Sequence, residues 1–155
     1  MAEQLFIRHL FPKKNSVLAT DSQILSYMEF DEKSYPLQKE THSIIGLCME
    51  VHRILGPGLL EIVYKDALEI EFKNNAIQYE REKEYLMEYK DVILLHRFYA
   101  DFIVYGSIIL EAKAQKGFME DFYSRVINYL ALSKCKIGLL VNFGENSLRY
   151  KRFIL

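Results

Sequence analysis

Cysteine is scarce, neither charge sign is in excess, and no apolar run is long. Each shortage excludes something. The two cysteines, Cys48 and Cys135, are far apart in the chain and form no metal-ligand spacing. They provide no disulfide framework and read as buried thiols of a cytoplasmic protein. No apolar stretch approaches the roughly 20 residues that a membrane-spanning helix requires. The first ten residues carry Glu3, Arg8 and His9, so they do not form the apolar segment of a signal peptide. Twenty basic residues stand against 21 acidic ones, a net charge of −1. A protein that binds nucleic acid by phosphate neutralisation alone is usually basic. Any DNA or RNA partner must therefore be met at a local site or through bound cations, not across a broad basic patch. What is present is ample core material: 155 residues, half of them apolar and 14% aromatic, enough for one mixed domain.

Residues 1–36 have no sustained periodicity and are broken by Pro12-Lys13-Lys14-Asn15-Ser16, so they are expected to form an appended arm, partly ordered or docked on the core. The periodic domain is expected over residues 37–155. Ile44, Leu47, Cys48, Val51 and Leu55 form the stripe of an amphipathic helix that should stop at Gly56-Pro57-Gly58. A second helix carries Val63, Tyr64, Ala67, Leu68 and Phe72, and Asn74-Asn75 ends it. Period two then takes over. The spacing predicts a strand over 77–89 with Tyr79, Tyr85 and Tyr89 on one face, a turn at Lys90-Asp91, and a strand over 92–104. Tyr105-Gly106-Ser107 is the next turn, and 108–113 a strand apolar enough to be central. A helix at about 118–132, a buried strand at 136–142 and an edge strand within 147–155 complete the chain. That order predicts an α/β fold with a mixed sheet flanked by helices.

Asp101 and the triplet Glu111-Ala112-Lys113 fall on strands joined by the short turn. A three-residue turn pairs Val104 with Ile108, sets Asp101 opposite Glu111, and places Lys113 on the same face. A two-residue turn would send Glu111 to the other face. Opposed carboxylates repel unless a cation lies between them, and Mg²⁺ or Mn²⁺ suits such oxygen ligands, with the Ala112 carbonyl as a third. Lys113 beside the ion could orient water or stabilise charge on phosphate. The bland alternative is a solvated Asp–Lys pair. It sits uneasily with the apolar run Ile108-Ile109-Leu110 that these charges interrupt.

The stretch from Ile44-Ile45-Gly46 through His52-Arg53-Ile54-Leu55-Gly56-Pro57-Gly58 to Glu61 and Tyr64 resembles the signature of the bacterial GxxExxY family, whose glycine, glutamate and tyrosine fall here at Gly58, Glu61 and Tyr64. The likeness continues through Tyr99-Ala100-Asp101, Leu110-Glu111-Ala112-Lys113-Ala114 and Gly138–Gly144, over about residues 38–152. It implies a restriction-endonuclease-like core of the PD-(D/E)XK nuclease superfamily. It also implies Asp101 and Glu111 as metal ligands, Lys113 as the catalytic lysine, and Glu61 as the helical glutamate completing the acidic site. Glu61 could instead simply complement a helix dipole, and Tyr64 could be a core aromatic or a substrate contact. The family tends to carry a glutamine four residues before the tyrosine that matches Tyr129. Here that position is Arg125, which could contact substrate phosphate beside Tyr129 or pair with a site carboxylate.

His52, near the end of its helix, reads as a bond to the last carbonyls. His96 falls on the face away from Asp101. The tyrosine row could stack single-stranded nucleic acid or simply pack. The expected function is a Mg²⁺- or Mn²⁺-dependent nuclease acting on DNA or RNA. The alternative is a catalytically inactive nuclease-fold module that binds nucleic acid or protein. Homodimerisation through the arm or an edge strand is a third expectation.

Overall fold

The computed structural model describes residues 35–155, so all but the last two residues of the predicted arm lie outside the described residues. Helices α1 (Gln38–Leu55) and α2 (Glu61–Asn74) come first. Strands β1 (Tyr79–Tyr89), β2 (Val92–Val104) and β3 (Ile108–Lys113) follow. Helix α3 (Glu120–Ser133) then leads to β4 (Ile137–Asn142) and β5 (Arg149–Ile154). The five strands lie in the order β1-β2-β3-β4-β5. Only β3 and β4, joined through α3, are parallel; the other pairs are antiparallel.

Two apolar layers cover the sheet. Ile44, Cys48 and Val51 of α1, with Tyr64, Leu68 and Phe72 of α2, pack on Phe102, Val104, Leu110 and Leu139. On the other face Val126, Tyr129 and Leu130 of α3 pack on Ala100, Ile103, Ile109 and Leu140. At Gly138 a Cβ would lie 2.4 Å from Val126 Cγ1, so only glycine lets α3 sit this close to β4. Cys48 is buried, and desolvation pushes its thiol up to about 12; Cys135 is only half-buried, contrary to expectation, and both are free thiols. Among the described residues, no helix is long and apolar enough to cross a membrane.

The turns explain the register. Lys90 and Asp91 both take positive φ, 49° and 63°, the mirror-image turn whose twist matches antiparallel strands. Tyr105 and Gly106 also take positive φ, and Val104 pairs with Ile108, so the loop has three residues. The β1–β2 ladder, however, contains a feature that alternation did not predict. Between Arg81–Phe102 and Lys83–Ala100 it skips Glu82 and Asp101, and Glu82 has φ 51°. Here both strands exchange faces. Tyr79 and Arg81 turn to α2, where Glu69 receives the Tyr79 hydroxyl at 2.8 Å and the Arg81 guanidinium at 2.5 Å. Tyr85, four residues after Arg81, packs under α3 instead. The expected tyrosine row is therefore split between faces.

Candidate active site at the fork between β2 and β3

The β2–β3 ladder ends at Phe102–Leu110. Beyond it the strands part, and the Ala112 N–H of β3 would be left without a strand partner, which is costly in a buried strand. The Asp101 side chain fills the gap: its Oδ2 accepts the Ala112 N–H at 2.9 Å. Asp101 is thus not the ladder partner of Glu111, as expected, but bonds the next residue along. The face exchange at Glu82 and Asp101 turns this carboxylate toward β3.

Glu111, Ala112 and Lys113 then form one edge of a buried polar cluster. Glu111 is 1% exposed. Its Oε1 receives Lys113 Nζ at 3.0 Å and Arg125 Nη1 at 3.2 Å. Its Oε2 is buried with no hydrogen-bond partner among the described residues. Burial first, then the Asp101 charge, push the Glu111 carboxyl above its ordinary range, and Lys113 and Arg125 oppose that shift. Lys113 Nζ also donates to the Ala112 carbonyl at 2.9 Å, lies 3.5 Å from both Glu61 oxygens, and sits 5.6 Å above the Phe122 ring. Glu61 is the first residue of α2 and has no other cap to compete with; it therefore serves the helix N-terminus and reaches the cluster at once.

Sequence reasoning missed Lys65. It lies four residues after Glu61 on α2 and binds Asp101 Oδ1 at 2.9 Å and Glu61 Oε1 at 3.6 Å. Burial pulls its pKa down, but the Asp101 hydrogen bond and the charges of Asp101, Glu61 and Glu82 outweigh that, and the net shift is upward. The i, i+4 spacing of Glu61 and Lys65 was the available signal. Three carboxylates (Glu61, Asp101, Glu111) thus alternate with three cations (Lys65, Lys113, Arg125). Among the described residues, no three His, Cys, Asp or Glu side chains stand close enough together to hold a metal ion by themselves, because the ammonium groups lie between the carboxylates. The donor set nevertheless suits a hard divalent ion. Glu111 Oε2 has no partner, and one movable ammonium holds both Glu111 Oε1 and the Ala112 carbonyl.

The two tyrosines expected to touch substrate are both buried, each with its hydroxyl donating to a backbone carbonyl. Tyr64 is 0% exposed. Its hydroxyl donates to the Gly56 carbonyl at 2.7 Å and accepts the Leu59 N–H at 3.1 Å, and its ring stacks on Phe143 at 4.7 Å. It ties down the Gly56-Pro57-Gly58 bend. Tyr129 is buried under the sheet with its hydroxyl on the Tyr99 carbonyl; desolvation first, then the Glu111 charge, push it up to about 12. Arg125 is where its helix spacing placed it, with one guanidinium nitrogen on Glu111 and more than half its side chain exposed. His52 bonds the Glu145 carbonyl at 2.8 Å and not the end of its own helix. His96 is exposed and packs edge-on against Phe98.

Residues 38–153 match the family model of the PD-(D/E)XK nuclease superfamily. A solved structure, that of the protein SSO0001, is similar over 98% of this chain and 74% of its own, with a TM-score of 0.50 and 20% identity, a likeness of fold. No curated protein matches significantly.

Proposed function

Since the chain belongs to the PD-(D/E)XK nuclease superfamily, we propose that it hydrolyses phosphodiester bonds of DNA or RNA with Mg²⁺ or Mn²⁺, and that within the superfamily it is a GxxExxY protein. The observation that carries this reading is the buried Glu111 carboxylate, whose Oε2 lacks any partner among the described residues at a strand fork. A desolvated carboxylate left half-satisfied is costly, and an oxygen-seeking cation would relieve that cost.

Asp101, Glu111 and the Ala112 carbonyl would hold the ion, with Glu61 closing the acidic side. The ion supplies Lewis acidity and a lowered pKa for bound water. Lys113, whose ammonium lies beside Glu111 and the Ala112 carbonyl, would position the attacking water and offset the charge that develops on the phosphoryl oxygens. Lys65 holds Asp101 in place by its 2.9 Å contact. Arg125, half in solvent, offers its free guanidinium nitrogens to the phosphate.

One observation favours a second reading, a non-catalytic nuclease-fold module: the three carboxylates already have three cationic partners. The test is incubation of purified protein with single- and double-stranded DNA and RNA in Mg²⁺, Mn²⁺ or EDTA. Metal-dependent cleavage that is lost in Lys113→Ala supports the nuclease. Cleavage that survives Lys113→Ala, or that persists in EDTA, sinks the proposed chemistry, and binding without cleavage favours the module. A homodimer through the arm or an edge strand, β1 or β5 of the sheet, is a separate proposal, decided by light scattering on the eluted protein.

A further inference from the structure

We propose that the trough between the loops following β3 and β4 is a binding site for the phosphodiester backbone of the nucleic-acid strand that adjoins the scissile phosphate. The proposal rests on the nuclease reading and adds the substrate tract that the overall charge balance left unaccounted for.

The trough has a volume of about 630 Å³ and is lined by Lys116, Phe118, Glu145, Asn146, Ser147 and Arg149, with three of these side chains charged. Its two loops leave the carboxyl ends of neighbouring parallel strands, whose last residues, Lys113 and Asn142, are paired. Open α/β sheets bind ligands at such ends, and here the trough begins three residues beyond the candidate catalytic lysine.

It is also rigidly built. Asn142 is fully buried. Its Oδ1 accepts the Gln115 and Gly144 N–H groups at 3.1 Å each. Its Nδ2 donates to the carbonyls of Gln115 at 2.8 Å and Gly117 at 3.0 Å. At Gly144 the loops approach so closely that a Cβ would lie 2.3 Å from Gln115 N. Glu145 Oε1 accepts the Gly117 N–H at 3.1 Å, and His52 holds the Glu145 carbonyl from below.

The cations on this frame favour a polyanion. Lys116 is exposed and has no ion-pair partner among the described residues. Arg149 offsets the Glu145 carboxylate at 3.2 Å and is otherwise in solvent. Lys151, two residues on along β5, sits 4.4 Å over Tyr123 and 5.9 Å over Phe118. Two lining cations against one lining carboxylate, with Lys151 beside them over Phe118, give the trough a positive surplus in a chain whose net charge is −1. Phe118 and Tyr123 contact each other at 6.1 Å, and Phe122, next to Tyr123 in the chain, lies under Lys113, so half-buried aromatic rings flank both the cluster and the trough. Cations interleaved with aromatics suit a single strand, with phosphates on the former and bases near the latter.

The test is fluorescence anisotropy of labelled single-stranded DNA, single-stranded RNA and duplex DNA, titrated in EDTA over a range of salt concentrations, so that binding is read without cleavage. Relative to the wild type, Lys116→Ala combined with Arg149→Ala should weaken single-strand binding about tenfold near 0.1 M salt. It should also lower the slope of log K against log salt by about 1.4, since each phosphate contact to a single strand contributes about 0.7. Lys116→Arg should bind like the wild type, and so should Lys90→Ala at the tip of the β1–β2 hairpin. Unchanged affinity and slope in the double variant would overturn the proposal, as would failure of the wild type to bind any of the three probes. Metal-dependent cleavage with trough variants that bind normally would reject the trough and keep the nuclease. Trough-dependent binding without cleavage would do the reverse.

Discussion

Replacing Tyr64 by phenylalanine removes one oxygen atom and keeps the 4.7 Å stack on Phe143. That oxygen ties Tyr64 to the bend: it donates a hydrogen bond to the Gly56 carbonyl and accepts one from the Leu59 N–H. A buried polar group left unpaired costs about 1–3 kcal/mol. Leu59 is well exposed, so its N–H can bond water, and the loss falls mainly on the Gly56 carbonyl; about 2 kcal/mol in total is the expectation. For a folded unit spanning Pro36–Leu155, unfolding entropies near 2 cal/mol/K per residue convert this to a fall in Tm of about 8 °C. Thermal unfolding followed by circular dichroism reads the shift directly. Oligonucleotide affinity, measured below the melting range, should not change, because the hydroxyl faces the bend and not the site. A variant that melts within about 1 °C of the wild type would show that the hydroxyl is not the tie. A normal Tm with weakened binding would return Tyr64 to the substrate.

Three further outcomes are expected. Gly144→Ala would press a methyl group to 2.3 and 2.5 Å from the Gln115 nitrogen and oxygen; backbone atoms cannot rotate away, so denaturant titration should show a loss of about 3 kcal/mol, and a loss under about 1 kcal/mol would mean that the loops yield. Arg81, then Lys73 and Tyr79, hold the Glu69 carboxyl down at about 2, against an ordinary 4.5. A depressed carboxylate stabilises the fold above its ordinary pKa and loses that contribution as pH falls toward 2, so Glu69→Gln should flatten the decline of the urea midpoint over that range; an unchanged slope would place the acid sensitivity elsewhere. Lys65→Met strands the buried Asp101 charge and should cost about 3 kcal/mol in EDTA, while Mn²⁺ should raise the variant's Tm more than the wild type's because a competing ammonium is gone; equal shifts would remove Lys65 from the metal's surroundings.

Most of the architecture was legible because it rests on short-range rules. Gly56-Pro57-Gly58 had to end a helix, Lys90-Asp91 and Tyr105-Gly106-Ser107 had to turn, and Ile108–Leu110 had to lie inside. The odd-length loop that the site needed is present, with Val104 paired to Ile108. What was not legible is where alternation fails. Nothing in Arg81-Glu82-Lys83 announces a left-handed glutamate, since neither glycine nor asparagine marks the position. The face exchange it causes separated Tyr79 from Tyr85 and moved Asp101 from Glu111 to the Ala112 N–H. Tyr64 shares its motif with Glu61, and the motif alone does not show that its hydroxyl holds the Gly56 bend; its burial and its partners do. Lys65 was missed because its partner Asp101 is 36 residues away in sequence.

The proposed chemistry requires the lysine-filled carboxylate fork to bind a divalent cation. A crystal structure with Mn²⁺ soaked in, read by the anomalous signal of the ion, tests it most directly. The expected result is density contacting Asp101, Glu111 and the Ala112 carbonyl, with Lys113 Nζ withdrawn from that carbonyl. A saturating soak that leaves Lys113 on the Ala112 carbonyl, and the ion absent from the fork, would contradict it.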